Sequence, residues 1–245
     1  MRALDCQILE MLITKIHELI RLNLTNHQLN YLHYCHFRFL KLFQQFSKMN
    51  EYHLWKKFKE GDKEAFSEIY YDNYNALYNY LNKIGGNISL TEDCIQDLFL
   101  NLWRTRKKLA AVQSIKSYLL ASARRDLIKK IQKNRKIEHH SKEIFLEEPN
   151  LSFSEEEIVI NLETSNEEKN KITKALNSLP KRQKEAIYLK YYEGLSYEEV
   201  ADLMGVNYQS VINLIYKAFK ALRNNNLLKI ISRLHIVLAM APFFH

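Results

Sequence analysis

Hydrophobic residues recur at steps of three and four along most of this chain, which is the spacing of one face of an α-helix. One such run ends at Gly85-Gly86 after passing through Phe66, Ile69, Tyr70, Tyr74, Leu77 and Leu81. No stretch shows the two-residue alternation of a half-buried strand, and glycine and proline are scarce, at five and three residues. The pattern predicts an all-α protein.

Helices of this kind follow one another between residues 51 and 136, and capping residues are present at two of them. Asp62 is placed to cap the helix after Gly61 and Thr91 to cap the third helix, and Ser114 begins the fourth. Their side-chain oxygens can accept the free amide hydrogens of a first helical turn. These residues predict a small four-helix domain.

The third helix of this domain has two distinct faces. One face is apolar, and the other carries an acidic and polar stripe on an otherwise basic protein. Such a stripe suits a basic protein surface, and an ordinary solvated face is the alternative. The apolar residues are Ile95, Leu98, Phe99 and Leu102, and the stripe consists of Asp93, Gln96, Asp97 and Asn101.

The fourth helix is basic toward its C-terminal end and has aromatic residues nearby. Positive charge beside aromatic rings is typical of surfaces that hold single-stranded nucleic acid, because bases can stack on the rings. A solvated run of charges is the alternative interpretation. The candidate residues are Tyr118, Arg124, Arg125, Lys129 and Lys130.

Residues 170–224 predict a second helical domain that contains a helix-turn-helix. Ser196 and Glu199 have the spacing of a capping box, Gly205 can form the left-handed turn after a short helix, and Asn207 can cap the next helix. Two helices joined by a short glycine-containing turn are typical of a DNA-binding motif whose second helix enters the major groove. A plain three-helix bundle is the alternative.

The last helix of this motif carries the side chains that we expect to contact DNA. Amide and hydroxyl groups near its start can bond to base edges. Cations further along suit phosphates, which position a protein without specifying a sequence. The base-edge candidates are Tyr208, Gln209, Ser210 and Asn213, and the phosphate candidates are Lys217, Lys220 and Arg223.

Composition narrows the possible partners and excludes several classes of function. The 245 residues carry a formal net charge of +8, which fits a polyanionic partner. Three widely spaced cysteines form no CxxC pair, and the chain shows no secretory signal and no apolar run long enough to span a bilayer, so we expect a cytoplasmic protein.

No phosphate loop, HExxH motif or nucleophile elbow is present, so we expect no enzyme, no cofactor and no small-molecule substrate. The cluster of His27, His33, Cys35 and His36 matches no standard zinc spacing, so we expect no metal site.

Three segments lie outside the two domains. Residues 1–48 are either a helical docking extension or an over-extended reading frame with Met49 as the natural start. Residues 137–169 form an acidic linker, which we expect to be a flexible or partly helical tether. Residues 225–245 form an apolar tail that we expect to pack on the protein, with a partner-binding helix and a membrane-surface anchor as alternatives.

The two domains together resemble the bacterial sigma-70 family, and within it the extracytoplasmic-function (ECF) group, which keeps only regions two and four. Residues 91–103 (TEDCIQDLFLNLW) and 116–124 (KSYLLASAR) are similar to region two. Residues 193–201 (EGLSYEEVA) and 211–223 are similar to region four. The order and spacing of these blocks make the resemblance specific, with one departure at Leu214, where many relatives carry Arg.

The resemblance implies a transcription initiation factor that binds core RNA polymerase, brings it to promoters and helps to open the duplex. The stripe on the third helix would dock on the clamp coiled coil of the largest polymerase subunit. The fourth helix would hold the melted downstream promoter element, and the last helix would read the upstream element as duplex. The family also implies an anti-sigma factor as a partner. By resemblance, the downstream-element residues are Lys116, Tyr118, Arg124, Arg125, Lys129 and Lys130.

Two other classes of function remain open on the residues alone. A helix-turn-helix repressor or activator would bind duplex DNA without binding polymerase, but the chain shows no dimerisation seam or ligand-domain motif. A nuclease could hold metal ions on acidic pairs such as Asp93 and Asp97, but no second cluster of carboxylates or histidines converges on them in the sequence.

Overall fold

The computed structural model describes residues 49–138, 151–154 and 166–224. The chain divides into two units, residues 1–53 and 54–245. The described residues of the first unit are helical. In the second unit the described residues form helices and turns and no strand, so the prediction of an all-α protein is confirmed.

Eight helices span the described residues, and two short irregular turns interrupt their order. A 3-10 turn, Arg106–Lys108, follows the third helix, and a π-helical turn, Tyr188–Tyr192, follows the sixth. The helices are α1 (residues 49–60), α2 (Lys63–Gly85), α3 (Ile88–Thr105), α4 (Ile115–Glu138), α5 (Asn166–Asn177), α6 (Lys181–Ile187), α7 (Tyr197–Met204) and α8 (Tyr208–Asn224).

Most of the predicted helix starts are confirmed, and one is wrong. The Asp62 carboxylate accepts the amides of Glu64 and Ala65 at 2.8 and 3.1 Å. The third helix begins one turn earlier than predicted, because the Asn87 side chain accepts the amide of Leu90 at 2.9 Å. Thr91 therefore lies buried inside α3 and does not cap it.

Helices α2, α3 and α4 pack side by side around one apolar core. Ile69, Leu77 and Leu81 of α2 are buried as their spacing predicts, and each such side chain contributes about 1.5–3 kcal/mol through burial. Gly85, the last residue of α2, lies so close to Leu127 of α4 that an added Cβ would sit 3.2 Å from its side chain. The absence of a side chain there allows the two helices to approach.

The second group of helices buries further apolar residues of the same core cluster. Helices α6 and α7 both pack on α8, and α8 buries Val211, Ile215, Ala218 and Leu222. Leu214, which follows Val211 by three residues on the same helix, is half-buried. The apolar side of each helix in this group therefore follows the sequence pattern.

The two groups of helices also contact each other, since α7 packs against α4. The short segment 151–154 contributes to the same contact region, with Leu151 and Phe153 buried. The side chain of Asn177 on α5 holds the backbone of Phe153 from both sides, accepting its N–H at 2.8 Å and donating to its carbonyl at 2.9 Å. The domain limits taken from the sequence remain predictions, and the 1–48 and 225–245 segments lie outside the described residues.

Candidate DNA and polymerase interfaces

Local hydrogen bonds build the helix-turn-helix of α7 and α8. The Ser196 hydroxyl accepts the amide of Glu199 at 3.2 Å, and the Glu199 carboxylate accepts the amide of Ser196 at 2.7 Å, which confirms the capping box. Gly205 ends α7 with a φ of 65°, in the left-handed region that favours glycine. Asn207 then caps α8 by accepting the amide of Ser210 at 2.7 Å. The predicted turn chemistry therefore fixes the angle at which α8 leaves α7.

The exposed face of α8 carries the residues that the sequence suggested for DNA contact. Tyr208 is 42% exposed, and the amide groups of Gln209 and Asn213 are joined by a hydrogen bond of 3.4 Å between Nε2 and Oδ1. This bond holds two of the base-edge candidates next to each other. Ser210 is half-exposed, and Gln209, Asn213, Lys217, Lys220 and Arg223 are exposed.

One residue on this face was missed by the sequence reasoning. Tyr216 is 61% exposed and follows Gln209 by seven residues and Asn213 by three, so it lies on the same side of α8. Its ring can make apolar contact with a thymine methyl group or a deoxyribose. The helical period that placed Gln209 and Asn213 was sufficient to find it.

The downstream-element candidates on α4 differ in exposure and in whether they form ion pairs within the chain. Arg125 and Lys129 are exposed. Tyr118 is half-buried and its ring meets that of Trp55 edge to face, with 5.5 Å between centroids. The other three candidates, Lys116, Arg124 and Lys130, form ion pairs within the chain.

Arg124 lies in a buried polar cluster between the two groups of helices. Its Nε donates to Oε1 of Glu185 at 2.9 Å, and the Tyr80 hydroxyl donates to the same oxygen at 2.7 Å. The Glu185 side chain is 1% exposed and that of Arg124 is 14% exposed. Burial, the largest single influence, lowers the pKa of Arg124, but the charges of and hydrogen bonds to Glu185 and Tyr80 together outweigh it, and the pKa is raised. Burial, followed by the Glu185 charge, also raises the pKa of Tyr80 well above its ordinary value.

Lys116 forms a second bond to the later half of the chain. Its ammonium group lies 2.7 Å from the Glu193 carboxylate and donates to the Glu193 carbonyl at 2.8 Å. Glu193 follows the π-helical turn directly, and its side chain is only 7% exposed. Two of the six downstream-element candidates are thus occupied by carboxylates of the helix-turn-helix group.

The acidic stripe on α3 is exposed at all four of its positions, Asp93, Gln96, Asp97 and Asn101. Asp97 forms an ion pair of 2.7 Å with Lys130 of α4, in which both side chains remain substantially exposed. Partial burial, the largest single influence, lowers the pKa of Lys130, but the hydrogen bond to Asp97 together with the charges of Cys94, Asp97 and Asp93 outweighs it, and the pKa is raised. The polymerase candidates on α3 therefore border the DNA candidates on α4.

A groove of about 220 Å³ follows this border between α3 and α4. Asn101 and Thr105 lie on one wall, and Tyr118, Arg125 and Lys129 lie on the other. A groove with an aromatic ring and two cations has the chemistry to hold an unpaired nucleotide.

Two kinds of feature, a cluster of metal-ligating side chains and a membrane-spanning helix, are absent from the described residues. Residues 49–138, 151–154 and 166–224 contain no group of three or more His, Cys, Asp or Glu side chains that could hold a metal ion. No described helix is both long and apolar enough to cross a membrane. His27, His33, Cys35 and His36 lie outside the described residues.

Comparison with known proteins places both groups of helices in one family. Residues 69–137 match Sigma-70 region 2, and residues 169–222 match Sigma-70, region 4. The chain is 24% identical over 164 residues to the ECF RNA polymerase sigma factor SigK of Mycobacterium tuberculosis, covering 66% of this chain and 86% of the relative. It is 25% identical over 174 residues to SigK of Mycolicibacterium vanbaalenii, covering 69% and 86%.

Two solved structures that match this chain are complexes with a second protein. The sigma factor RpoE from Bartonella quintana, in complex with the anti-sigma factor NepR, shares 22% identity and a TM-score of 0.47, covering 65% of this chain and 95% of RpoE. CnrH in complex with the cytosolic domain of CnrY shares 16% identity and a TM-score of 0.47, covering 71% and 94%. With regions 2 and 4 matched in order on one chain, the protein belongs to the sigma-70 family of RNA polymerase sigma factors, in its ECF group.

Proposed function

We propose that this chain binds core RNA polymerase, directs it to a specific set of promoters and helps to open the promoter DNA. The observation that carries the proposal is the presence of sigma regions 2 and 4, in order, on one chain. An exposed acidic stripe on α3 and an exposed reading face on α8 supply the two surfaces that such a factor needs. The protein acts as a non-catalytic subunit of the polymerase.

The acidic stripe is proposed to dock on the clamp coiled coil of the largest polymerase subunit. Asp93, Gln96, Asp97 and Asn101 project from one exposed helix face, so a basic surface can reach all four. Asp97 would exchange Lys130 for a cation of the polymerase. An exposed ion pair contributes only about 0.2–1 kcal/mol, so this exchange costs little.

Helix α4 and the groove beside α3 are proposed to hold the melted downstream strand. Extruding a base from a duplex costs a few kcal/mol, and stacking a base on an aromatic side chain recovers about 1–3 kcal/mol. Tyr118 provides such a ring, and Arg125 and Lys129 provide exposed charge for the strand's phosphates. Opening is thereby favoured because the unpaired strand gains contacts that the duplex lacks.

Helix α8 is proposed to read the upstream element as duplex in the major groove. The paired amides of Gln209 and Asn213 suit adenine, whose edge offers one donor and one acceptor. Lys217, Lys220 and Arg223 would hold the phosphates on either side. We also propose that an anti-sigma factor restrains the chain and that the chain acts in the cytoplasm, where polymerase and chromosome are found.

The test is run-off transcription on genomic fragments with purified core polymerase, with and without the full chain. We expect discrete start sites that depend on the chain, together with co-purification of the chain and core polymerase. Asp97→Lys is expected to weaken co-purification, whereas Asp202→Lys, at an exposed acid of α7, is the matched control and should not. A chain that binds duplex DNA but never binds core polymerase would be an ordinary helix-turn-helix regulator.

A further inference from the structure

The side chain of Trp55 on α1 contacts two parts of the groove region between α3 and α4 at once. Its indole N–H donates to the carbonyl of Ala110 at 2.9 Å, and its ring meets that of Tyr118 edge to face, with 5.5 Å between centroids. Only 2% of Trp55 is exposed. One buried residue therefore holds both the loop before α4 and the aromatic ring of the groove.

The loop of residues 109–114 joins the two walls of the groove, because it leads, after a 3-10 turn, from the end of α3 to the start of α4. Leu109 and Val112 are half-buried against the core, whereas Ala110 is exposed. Water competes for the carbonyl of an exposed residue, so the bond from Trp55 is what holds this part of the loop on the protein. The path of the loop beside the groove therefore depends on the indole N–H.

Tryptophan is the apolar side chain that can make both contacts from this position. A phenylalanine ring can also meet Tyr118 edge to face, but it has no hydrogen-bond donor. Phe58, whose ring centroid lies 5.1 Å from that of Trp55, is fully buried in the same cluster without any polar atom in its side chain. Packing of the cluster alone therefore does not require the N–H group of Trp55, and its bond to the loop is a separate feature.

We propose that Trp55 is a positioning residue for promoter opening, which orients the Tyr118 ring and fixes the loop of residues 109–114 so that the groove is ordered before an unpaired nucleotide enters it. This inference rests on the proposed function, since it takes the groove as the site of the melted strand. A site that is already ordered loses less conformational entropy on binding, so more of the stacking free energy remains to offset unpairing. Trp55 acts through its two neighbours and does not itself contact DNA.

Trp103 on α3 provides a matched control, because it lies in the same aromatic cluster. Its ring contacts Phe58 and Phe66, with centroids 6.3 and 5.0 Å away, and the Arg106 guanidinium lies 4.1 Å from the ring. The residues that line the groove include Tyr118 but not Trp103. Trp103→Phe therefore makes the same chemical change as Trp55→Phe in the same cluster, at a ring that does not line the groove.

The experiment uses the full chain bound to core RNA polymerase and a promoter fragment whose start site has been mapped by run-off transcription. Each protein is tested on this fragment as ordinary duplex and on a second version in which mismatches keep the downstream element unpaired. Permanganate oxidation of unpaired thymines measures the fraction of duplex promoters that open, and run-off transcripts measure activity on both fragments. Circular dichroism confirms that each variant is folded.

We expect Trp55→Phe to open the duplex promoter about twofold to tenfold less well than the unaltered chain, which is the effect of losing one hydrogen bond, and to bind core polymerase equally well. On the unpaired fragment the defect should shrink to less than about twofold, because the cost of unpairing has been removed. Trp103→Phe should match the unaltered chain on both fragments.

Three results would overturn the proposal. They are full opening of the duplex by Trp55→Phe, a defect of equal size on the two fragments, and a defect in Trp103→Phe as large as that in Trp55→Phe. A residue that serves only to keep the chain folded gives the second result, because a shortage of folded chain lowers activity on both fragments alike.

A second variant keeps the proposal testable if Trp55→Phe does not fold. Ala110→Gly leaves the core untouched, since Ala110 is exposed, and adds backbone freedom at the residue that accepts the bond. We expect it to reduce opening of the duplex by about twofold to fivefold, again with a smaller defect on the unpaired fragment. Unchanged opening by Ala110→Gly would count against a fixed loop and would overturn the proposal.

A spectroscopic measurement requires no DNA and no polymerase. The chain contains two tryptophans, so labelling them with nitrogen-15 gives two indole N–H signals, and Trp55→Phe identifies the one from Trp55. We expect this N–H to exchange with solvent at least about tenfold more slowly than free tryptophan does, and faster in Ala110→Gly. Exchange at the rate of free tryptophan would show that the bond to Ala110 does not form in solution.

Failure of this inference can be told apart from failure of the proposed function. If the unaltered chain starts no transcription on any fragment, the proposed function is refuted, and this inference with it. If the unaltered chain starts transcription and Trp55→Phe opens the duplex equally well, only the positioning role of Trp55 is refuted.

Discussion

The buried cluster of Arg124, Glu185 and Tyr80 allows a quantitative test of the packing between regions 2 and 4. At 2.9 Å and an effective dielectric constant of about 20, the attraction between Arg124 and Glu185 is about 6 kcal/mol before desolvation is subtracted. Glu185→Ala leaves the guanidinium and the Tyr80 hydroxyl without this partner in a buried site. We expect the free energy of unfolding to fall by about 3–5 kcal/mol, the usual cost of breaking a buried pair.

A double-mutant cycle separates the pair from its surroundings. Arg124→Met with Glu185→Met replaces both charges by apolar side chains of similar length, and such replacements are often close to neutral in stability. We therefore expect the double variant to be more stable than either single variant, with a coupling energy of about 2–3 kcal/mol. Urea unfolding of the full chain, followed by circular dichroism, measures all four proteins.

Asp97→Ala supplies the matched control for this cycle. It breaks the Asp97–Lys130 pair, which has nearly the same length, 2.7 Å, but is exposed to solvent, so its loss should cost only about 0.2–1 kcal/mol. If Glu185→Ala costs no more than Asp97→Ala, the buried pair does not form in solution, and the reasoning about region packing is wrong.

Four further outcomes are expected. Asp97→Lys should weaken binding to core polymerase while leaving the binding of duplex DNA by α8 unchanged, and equal polymerase affinity measured by pull-down would contradict the docking role. Gln209→Ala or Asn213→Ala should reduce discrimination among upstream sequences by about 1–3 kcal/mol in competition binding, and a uniform loss across sequences would show that these residues do not read bases. Lys220→Ala should weaken duplex binding on all sequences and reduce the slope of log affinity against log salt by about 0.9. An unchanged slope would exclude a phosphate contact. Because the folded-state pKa of Tyr80 is raised, its contribution to stability is present below the ordinary tyrosine pKa of about 10 and is lost as pH rises above it. The free energy of unfolding of Tyr80→Phe should therefore fall less steeply at alkaline pH than that of the unaltered chain. Identical pH profiles for the two proteins would contradict this.

Much of the fold follows from signals that act over only a few residues. The caps at Asp62, Ser196 and Asn207 and the turn at Gly205 each depend on a side chain or a backbone angle within one helical turn. The prediction at Thr91 failed for the same local reason, since Asn87, one turn earlier, reaches the free amide of Leu90 first. Two capping residues close together in a sequence compete, and spacing alone does not decide which one is used.

The candidate site was predictable where exposure follows from helical period. The acidic stripe on α3 and the face of α8 that carries the DNA-contact candidates are exposed as the opposite of a buried apolar face, and Tyr216 could have been found by the same rule. Whether each cation of α4 is exposed or held in an ion pair within the chain could not be found in this way. Arg125 and Arg124 are neighbours of the same type, yet one is exposed and the other is held by a buried carboxylate.

By itself, the sequence determined that the chain is helical, where most helices begin and end, and which family it belongs to, because helical period, capping and motif order are local or linear properties. Only the tertiary structure decided that Glu185 and Glu193 would meet Arg124 and Lys116. An ion pair that joins residues more than sixty positions apart depends on how two helical groups pack, and no short-range pattern encodes that distance. The physical reason is that charge partners are set by proximity in space, whereas the sequence pattern reports only which side of a helix faces its own core.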